Sequence, residues 1–556
     1  MIFRKIVLIG LCLSQTILLL ILSWQTSLNR TEVGHLGAAV YFYHTGQFDV
    51  FHVNPPLTRI ISGGPILLAA PSFDWKTYSP RPQDRSEWSI GKSFIQANTP
   101  VQIRWATFWA RCSLIPLILL GSGFGYRFAS ELYGTGAGLM FVVLWTFSPL
   151  VLAWGATICP DVTASSLGIM AVYAFWHWLK KPTWKQTVLA GLALGLLPLA
   201  KITWIIAFPL WIVIWLCWLL LSKSLPAPKP DGKRMVVLLG IALYLLHTGY
   251  LFDGSFRPLG EYEFISRTFS GTDTPPGNRF TGSWSASLPV PLPGEFLQGI
   301  DTQKLDFERG IESYFRGTYS QHGWWYYYLY TVLVKEPLAI LILGGLALTV
   351  SFRRSPDNAG ATRRDEMVVL FPGLTVFVLV SSQTGFSLHP RYIIPALPFA
   401  YIGISQLARS FPERRYVLAT VTTLLLVWLA GSSLSAFPHA MSYFNETIGG
   451  SKNGPKYLLG SNIDWGQNSY FLKTWYDTHP EARPIRIAYT PTESFERLGI
   501  PDVAIPSGDP EPGWYAIGAN ELYGPGDLYE AFRSLEPVDR IGTSIWIYHI
   551  EPEAAP

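Results

Sequence analysis

The stretch Thr31–Pro65, TEVGHLGAAVYFYHTGQFDVFHVNPPLTRIISGGP, follows the first long apolar run and differs from everything near it. Glu32 and His35 are three residues apart, so a helix would place them on one face. Further ionisable residues follow on either side of a rigid NPPL turn: His44, Asp49, His52 and Arg59. Acidic, imidazole and guanidinium groups gathered beside an apolar run favour a site at a membrane surface over simple packing.

The composition indicates a polytopic membrane protein. Of the 556 residues, 49% are hydrophobic, 15% aromatic and 14% charged, whereas a soluble domain carries about 25% charged residues. The net charge of +4 is too small to indicate a nucleic-acid partner. Four cysteines occur in or beside apolar runs without paired spacing, so they predict neither disulfides nor a zinc site. They are Cys12, Cys112, Cys159 and Cys217.

The apolar runs predict about eleven transmembrane helices, because about 20 apolar residues cross the hydrocarbon core. They lie near 6–24, 106–126, 136–155, 163–179, 187–200, 203–222, 235–252, 329–351, 367–383, 393–408 and 416–436. The first run is too long for a cleaved signal peptide, so we interpret it as an uncleaved span with a cytoplasmic N-terminus.

Lysine and arginine concentrate in alternate loops, which are expected to face the cytoplasm. The predicted inner loops carry Arg4, Lys5, Arg127, Lys180, Lys181, Lys185, Lys223, Lys229, Lys233, Arg234, Arg353, Arg354, Arg363, Arg364, Arg409, Arg414 and Arg415. The outer material then comprises the large loops 25–105 and 253–328, short turns, and everything after 437. We therefore predict a transmembrane domain over 1–437 and a small extracytoplasmic α/β domain over 438–556. Its strand-like runs are PIRIAYT, GWYAIGAN and TSIWIYHI.

Two acids on the predicted outer side are candidates for chemistry. Glu32 suits the first turn of a helix, or it could accept a proton from an acceptor hydroxyl. Asp161, in ATICPDVTASSLG, could cap the following helix, but an ionisable group at membrane depth is also a functional-site candidate. Neither capping role explains why both acids are predicted to lie on the same side of the membrane.

Cationic side chains are spread over the same outer face. They are His52, Arg59, Arg104, Lys201, Arg257, Lys335, His389 and Arg391. Lys201 and Lys335 interrupt apolar stretches near the ends of spans, where a lysine often extends to the interface without further function. Several cations on one face nevertheless favour an anion at the outer leaflet, and a lipid phosphate is the obvious one. The run GWWYYYLY at 323–330 fits an interfacial aromatic belt or a surface that stacks on a sugar or polyprenyl chain.

In this order the motifs resemble the GT-C glycosyltransferase superfamily, in particular the protein O-mannosyltransferase-like branch that includes the aminoarabinose lipid A transferases. The resemblance covers about residues 1–410. It depends on an acid after the first span (TEVGHLGAAVYFYHTG), HVNPPLTRI, CPDVTASS, LAGLALGLLPLAKITW, GWWYYYLYTVLVKEPL and HPRYIIPALPF.

The resemblance implies an inverting transferase in a bacterial inner membrane, with a polyprenyl-phosphate-linked sugar donor and chemistry at the outer face. The acceptor would be a lipid, a glycan or a protein. The catalytic acids implied are Glu32 as the base and Asp161 as an orienting group, or as a ligand if a divalent cation is used. For the phosphate contacts we expect His389 and Arg391, together with Lys201 or Lys335, while His52 or Arg59 could supply the contact from the first outer loop.

The chemistry agrees with these residue types. Displacing a phosphate from an anomeric carbon needs a base for the incoming hydroxyl and positive charge around the leaving group. Two rival classes remain at this stage. One is a transporter or lipid flippase with an outer solute-binding domain, although the inverted repeats typical of transporters are not visible in the sequence. The other is a structural scaffold.

Overall fold

The structure is a computed structural model that describes residues 2–70, 72–73, 85–221, 230–352, 361–410, 416–501 and 503–552. Six of the basic loop residues used above to assign orientation lie outside these described residues: Lys223, Lys229, Arg353, Arg354, Arg414 and Arg415.

The first half of the chain is helical. Its helices are α1 (Ile2–Gln25), α2 (Arg30–Thr45), α3 (Leu57–Ala69), α4 (Ser86–Ala97), α5 (Pro100–Tyr133), α6 (Thr135–Thr146), α7 (Pro149–Gly155), α8 (Pro160–Lys180), α9 (Trp184–Ala200), α10 (Ala207–Leu221) and α11 (Gly232–Gly249).

The second half mixes helices with short strands. The helices are α12 (Arg267–Ser270), α13 (Gly294–Arg309), α14 (Tyr327–Lys335), α15 (Leu338–Phe352), α16 (Arg363–Ser382), α17 (Leu397–Ile404), α18 (Tyr416–Ser435), α19 (Ser469–Thr478) and α20 (Ala519–Leu522). The strands are β1 (Ser313–Phe315), β2 (Thr318–Ser320), β3 (Ile485–Ala488), β4 (Gly513–Gly518), β5 (Asp539–Ile541) and β6 (Ile545–Ile550).

Six helical segments among the described residues are long and apolar enough to cross a membrane. They are Ile2–Gln25, Pro100–Tyr133, Pro160–Lys180, Ile202–Leu221, Arg363–Ser382 and Tyr416–Ser435. Two bent pairs, α6 with α7 and α14 with α15, raise the number to eight if each pair is one broken span. The chain is therefore an integral membrane protein, while the count of about eleven spans stays a prediction.

Helix α2 begins with a capping box. Asn29 accepts a hydrogen bond from the backbone N–H of Glu32, and the Glu32 side chain accepts one from the backbone N–H of Asn29. The box satisfies two N–H groups that a helix start leaves without partners. The helix ends at Gly46, whose φ of 71° is the left-handed conformation that glycine adopts without strain. Both ends of α2 are thus defined by local hydrogen bonds and backbone conformation.

A four-stranded sheet in the order β3-β4-β6-β5 forms the C-terminal part of the structure, with β3 parallel to β4 and the other pairs antiparallel. The three strand-like runs coincide with β3, β4 and β6. Alternate residues pack on opposite faces: Ile487, Ala516 and Ile547 on one, Tyr515, Ile517 and Tyr548 on the other. The domain boundary at 437 and the outward location stay predictions.

Candidate active site

Glu32 is completely buried and makes a bidentate ion pair with Arg111 of α5, at 2.7 Å to Nε and 2.6 Å to Nη2. Its Oε1 also accepts from the N–H of Ile158 at 2.8 Å, and its Oε2 from the N–H of Asn29 at 2.9 Å. A carboxylate has about four lone-pair positions, so all of them are occupied. In this conformation Glu32 has no lone pair free for a substrate proton, and its role as the base stays a prediction.

Arg111 completes this locked pair. Its Nη1 donates to the carbonyl groups of Ser23 and Thr26, and its Nη2 donates to that of Ser27. The pair therefore joins α1, α2, α5 and the loop before α8. A buried ion pair is tolerated when further hydrogen bonds satisfy the remaining donors and acceptors, and here they do. We infer that Glu32 and Arg111 position the first turn of α2.

Asp161 lies in the first turn of α8 and is only 2% exposed. Its side chain does not cap the helix, because Cys159 occupies that position without a side-chain cap. Instead, Oδ1 pairs with Lys201 Nζ, and Oδ2 accepts from the Cys159 thiol at 2.7 Å and lies 3.8 Å from Arg391 Nε. The structure thus brings Asp161, Lys201 and Arg391 together, while their common location on the outer face stays a prediction.

Arg391 connects this group to α2. Its Nη1 donates to the Thr31 hydroxyl at 2.5 Å, and its guanidinium lies over Trp154 and Tyr392, 4.9 Å and 5.6 Å from the ring centroids. We call Asp161, Lys201, Arg391 and Thr31 the anion cluster. One carboxylate and two cations give it a net charge of +1, so it has positive charge to share with an anion.

One member of the cluster, Lys201, lines a cavity of about 800 Å³. Lys201 and Tyr392 line it beside Tyr328, and most of its remaining wall is apolar. The apolar wall includes Ile202, Ile205, Phe208, Leu239, Leu243, Leu292, Phe307 and Leu379. A mostly apolar space with a cation in its wall suits an amphiphile with an anionic head group. Tyr328 is the part of the GWWYYYLY run that lines this cavity.

His389 is next to the cluster but is buried and bonded to Ser461, with Nδ1 2.8 Å from the hydroxyl. Burial lowers its pKa well below the ordinary value, and Arg391 and Lys201 lower it further. The imidazole is therefore neutral at neutral pH. His389 would then meet a phosphate as a neutral hydrogen-bond donor and not as a cation, and its contact with the phosphate stays a prediction.

His52 and Arg59 have other neighbours. His52 Nδ1 lies 2.7 Å from Glu295 Oε2, so a carboxylate already occupies the position that a phosphate would take. Arg59 is buried, donates to the Asn54 carbonyl at 2.9 Å and lies 5.7 Å from the centre of the Phe51 ring. Burial lowers its pKa to about 10, which leaves the guanidinium charged. Arg59 supplies positive potential, but the structure shows no contact with the anion cluster.

Lys335 is also buried, and its Nζ donates to the carbonyl groups of Met441 and Asn462 at 2.7 Å and 2.6 Å. It lies 4.2 Å from the centre of the Phe444 ring. Its neighbour Glu336 accepts from Tyr401 rather than from Lys335. Lys335 therefore links the segment after α18 to the end of α14, and its contact with a phosphate stays a prediction.

The structure singles out three further residues, of which only His35 belonged to the group of ionisable residues that the sequence indicated. Arg111 is part of an apolar run, although a charge inside such a run is itself a signal. Thr31 carries no charge, and no sequence pattern marked it as a site residue. His35, one turn after Thr31, is buried, and neither ring nitrogen has a hydrogen-bond partner among the described residues. Burial lowers its pKa to about 3, with a further lowering by Arg59 and Arg391, so the ring is neutral.

The described residues contain no group of three or more His, Cys, Asp or Glu side chains that could hold a metal ion. The neighbours of Asp161 are a lysine, an arginine and a thiol, and two cations are the wrong surroundings for a divalent cation. The residues do not fit a metal at this position, and no step below uses one.

Residues 105–247, which include Arg111, Asp161 and Lys201, match the sequence profile of the family described as dolichyl-phosphate-mannose-protein mannosyltransferase. The match confirms the resemblance to GT-C glycosyltransferases. It also confirms the prediction of an enzyme, a glycosyltransferase that uses a lipid-linked sugar donor.

Three solved structures are similar to this chain at low sequence identity. ArnT from Cupriavidus metallidurans bound to undecaprenyl phosphate is 12% identical, with a TM-score of 0.49 over 98% of this chain and 97% of ArnT. The S. cerevisiae Pmt1-Pmt2 complex bound to the sugar donor is 11% identical (TM-score 0.48, 78% of this chain, 89% of that one). AglB from Archaeoglobus fulgidus, in complex with an inhibitory peptide and a dolichol-phosphate, is 11% identical (TM-score 0.47, 99% and 74%). No curated protein sequence matches the chain.

Proposed function

We propose that this protein is an inverting glycosyltransferase that moves a sugar from a polyprenyl-phosphate-linked donor to an acceptor hydroxyl at the outer face of a bacterial inner membrane. The observation that carries the proposal is the apolar cavity lined by Lys201, which pairs with Asp161, while Arg391 lies 3.8 Å from the second carboxylate oxygen. The cavity would hold the first isoprene units, and the cluster would hold the phosphate.

The phosphate is both the ligand and the leaving group. In the donor it carries one negative charge, and after the C–O bond to the anomeric carbon breaks it carries a second. Lys201 and Arg391 therefore interact more strongly with the product phosphate than with the donor. Interactions that strengthen as charge develops lower the barrier. No general acid is needed, because phosphate leaves with the electron pair of the broken bond.

Asp161 is the proposed general base, which accepts the proton of the acceptor hydroxyl. An incoming phosphate competes for Lys201 and Arg391, which weakens their hold on the Asp161 carboxylate. The acceptor oxygen forms the new bond to the anomeric carbon from the face opposite the phosphate, and its proton passes to Asp161. Glu32, which the sequence had suggested as the base, instead holds α2 so that Thr31 meets Arg391.

The proposed activity can be tested in the host cell by deleting the gene. Deletion of the gene should remove one sugar from an envelope glycan, lipid or glycoprotein, as read by mass spectrometry, and wild-type protein should restore it. The variant Asp161→Asn, present in the membrane at the wild-type level, should not. Full restoration by Asp161→Asn would contradict the assignment. Movement of labelled polyprenyl phosphate across vesicles, with every envelope sugar unchanged in the deletion strain, would favour the transporter class instead.

A further inference from the structure

A second, polar cavity of about 160 Å³ lies between the membrane part and the C-terminal sheet. Four parts of the chain line it. They are Arg30 at the start of α2, the β1–β2 hairpin, Leu388 in the turn before the short 3₁₀ helix at residues 390–396, and C-terminal residues that include Trp465 and Glu521. Pockets for drug-sized molecules enclose roughly 300–1,000 Å³. This cavity therefore suits a smaller unit, such as one sugar ring.

The floor of the cavity is rigid. Asp464 is buried and accepts four hydrogen bonds: from Tyr489 and the N–H of Gly466 on Oδ1, and from Asn468 and Ser544 on Oδ2. These donors occupy all the acceptor positions of the carboxylate, so Asp464 supports the floor and does not bind a ligand. It fixes Tyr489 with its ring in the cavity wall.

The groups left for a ligand are aromatic faces and polar rim atoms. Trp465 Nε1 is buried and has no hydrogen-bond partner among the residues that the structure describes. Arg30 lies over the same indole, 5.3 Å from the ring centre. Thr490 and Glu521 also line the cavity, and Thr490 donates to Glu521 Oε1 at 2.6 Å. A cavity with an unpartnered indole N–H, a carboxylate and a guanidinium matches the hydroxyl groups of a sugar, while the rings match its apolar C–H face.

The cavity is one layer of side chains away from the anion cluster. Leu388 lines the polar cavity, and Tyr392, four residues later, lines the apolar one with Lys201. Between them the His389 ring lies edge-on to Trp465, with the ring centres 5.1 Å apart. Arg30 of the polar cavity precedes Thr31, which accepts the hydrogen bond from Arg391. One short turn thus separates a site for an anionic lipid from a site for a polyhydroxylated molecule.

From this arrangement we infer that the polar cavity binds a sugar unit of the acceptor, and that the C-terminal sheet is present to form it. The inference depends on the proposed function and deepens it, because it selects a carbohydrate acceptor over a peptide or a simple lipid alcohol. Trp465, Thr490 and Glu521 are then acceptor-binding residues that contact neither the donor phosphate nor its isoprene chain.

The experiment uses the full chain in nanodiscs and a panel of probes: the methyl glycosides of glucose, galactose, mannose and N-acetylglucosamine. Binding is detected by saturation-transfer NMR and quantified by titration calorimetry. At least one glycoside should bind. Trp465→Phe, which keeps an aromatic ring and removes the N–H, and Glu521→Gln should each weaken that glycoside about fivefold or more, the effect of losing one or two good hydrogen bonds.

Two matched variants outside the cavity are the controls: Trp284→Phe, whose ring is 83% exposed, and Glu536→Gln, also exposed. Both should bind the glycoside as the wild type does. Binding of undecaprenyl phosphate, measured on every variant, confirms that the protein is folded. A wild type that binds this lipid but none of the glycosides overturns the inference, as does a glycoside that binds Trp465→Phe and Glu521→Gln unchanged. A protein that binds the glycoside but not the lipid contradicts the proposed function and leaves the polar cavity supported.

Discussion

Glu32 and Asp161 are both buried carboxylates at a helix start, and both pair with a cation, yet their surroundings differ in one respect that matters for chemistry. Glu32 has four donors in a closed arrangement, all from protein. Asp161 shares its cations with an open cavity, because Lys201 also lines that cavity. A ligand can change the partners of Asp161 without unfolding anything, whereas the partners of Glu32 are fixed by the fold.

Because Glu32 and Asp161 differ mainly in their partners, charge and location alone do not identify a catalytic acid. A carboxylate with every lone pair occupied is part of the framework. One whose cations can be drawn to a substrate phosphate is available for a proton. Substitutions at Asp161, Glu32, Lys335 and Arg391 test which of these buried charges act on the substrate and which stabilise the fold.

The largest effect is expected at Asp161. Asp161→Asn removes the proton acceptor and keeps the side-chain shape, so the transfer rate should fall by about 10²–10⁴-fold, the usual contribution of a general base. Binding of undecaprenyl phosphate should persist, because both cations remain and the Asp161 carboxylate no longer competes with the phosphate for them. A transfer assay with lipid-linked sugar extracted from the host checks the rate. A variant as fast as the wild type would remove Asp161 from the mechanism.

The next largest effect is expected at Glu32, and it concerns stability. Glu32→Gln leaves Arg111 buried without its counter-charge, which costs about 3–5 kcal/mol of folding free energy. The loss should appear as a lower temperature of aggregation in detergent. The double variant Glu32→Gln, Arg111→Met should be less destabilised than the sum of the single variants, since the two residues are directly coupled. A Glu32→Gln protein as stable as the wild type but inactive would return the catalytic role to Glu32.

Lys335 provides a test of the same distinction between cations. Lys335→Met removes the donor to two buried carbonyl groups, so unfolding should become easier by about 1–3 kcal/mol. Its affinity for undecaprenyl phosphate should equal that of the wild type. Thermal denaturation and lipid titration on the same preparation measure both quantities, and a tenfold loss of lipid affinity would show that Lys335 contacts the phosphate after all.

The smallest effect is expected from Arg391→Lys. Lysine keeps the positive charge but loses the planar fork that reaches Thr31 and Asp161 together. Donor affinity should fall about tenfold, which corresponds to about 1.4 kcal/mol, while the melting temperature changes little. An unchanged affinity would mean that charge alone, without the guanidinium geometry, suffices at this position.

The sequence predicts features that depend on local patterns better than contacts between residues that are far apart in the chain. Apolar runs predicted the membrane helices, and alternating residues predicted β3, β4 and β6, because both patterns are local. The grouping of Asp161, Lys201 and Arg391 was also accessible, since all three flank spans on one side. The partner of Glu32 was not, because Arg111 is 79 residues away inside an apolar run. The same holds for Lys335, whose two carbonyl partners belong to a segment more than 100 residues later.

The central claim is that the anion cluster holds the phosphate of a polyprenyl carrier, and its most direct test compares two lipids on two proteins. Native mass spectrometry or lipid titration would measure undecaprenyl phosphate against the uncharged undecaprenol, on the wild type and on Lys201→Met. The wild type should prefer the phosphate by about 10–100-fold, the range of one or two charge-assisted hydrogen bonds. Lys201→Met should lose most of that preference while binding undecaprenol unchanged. Equal binding of both lipids by the wild type, or a full preference retained in Lys201→Met, would contradict the claim.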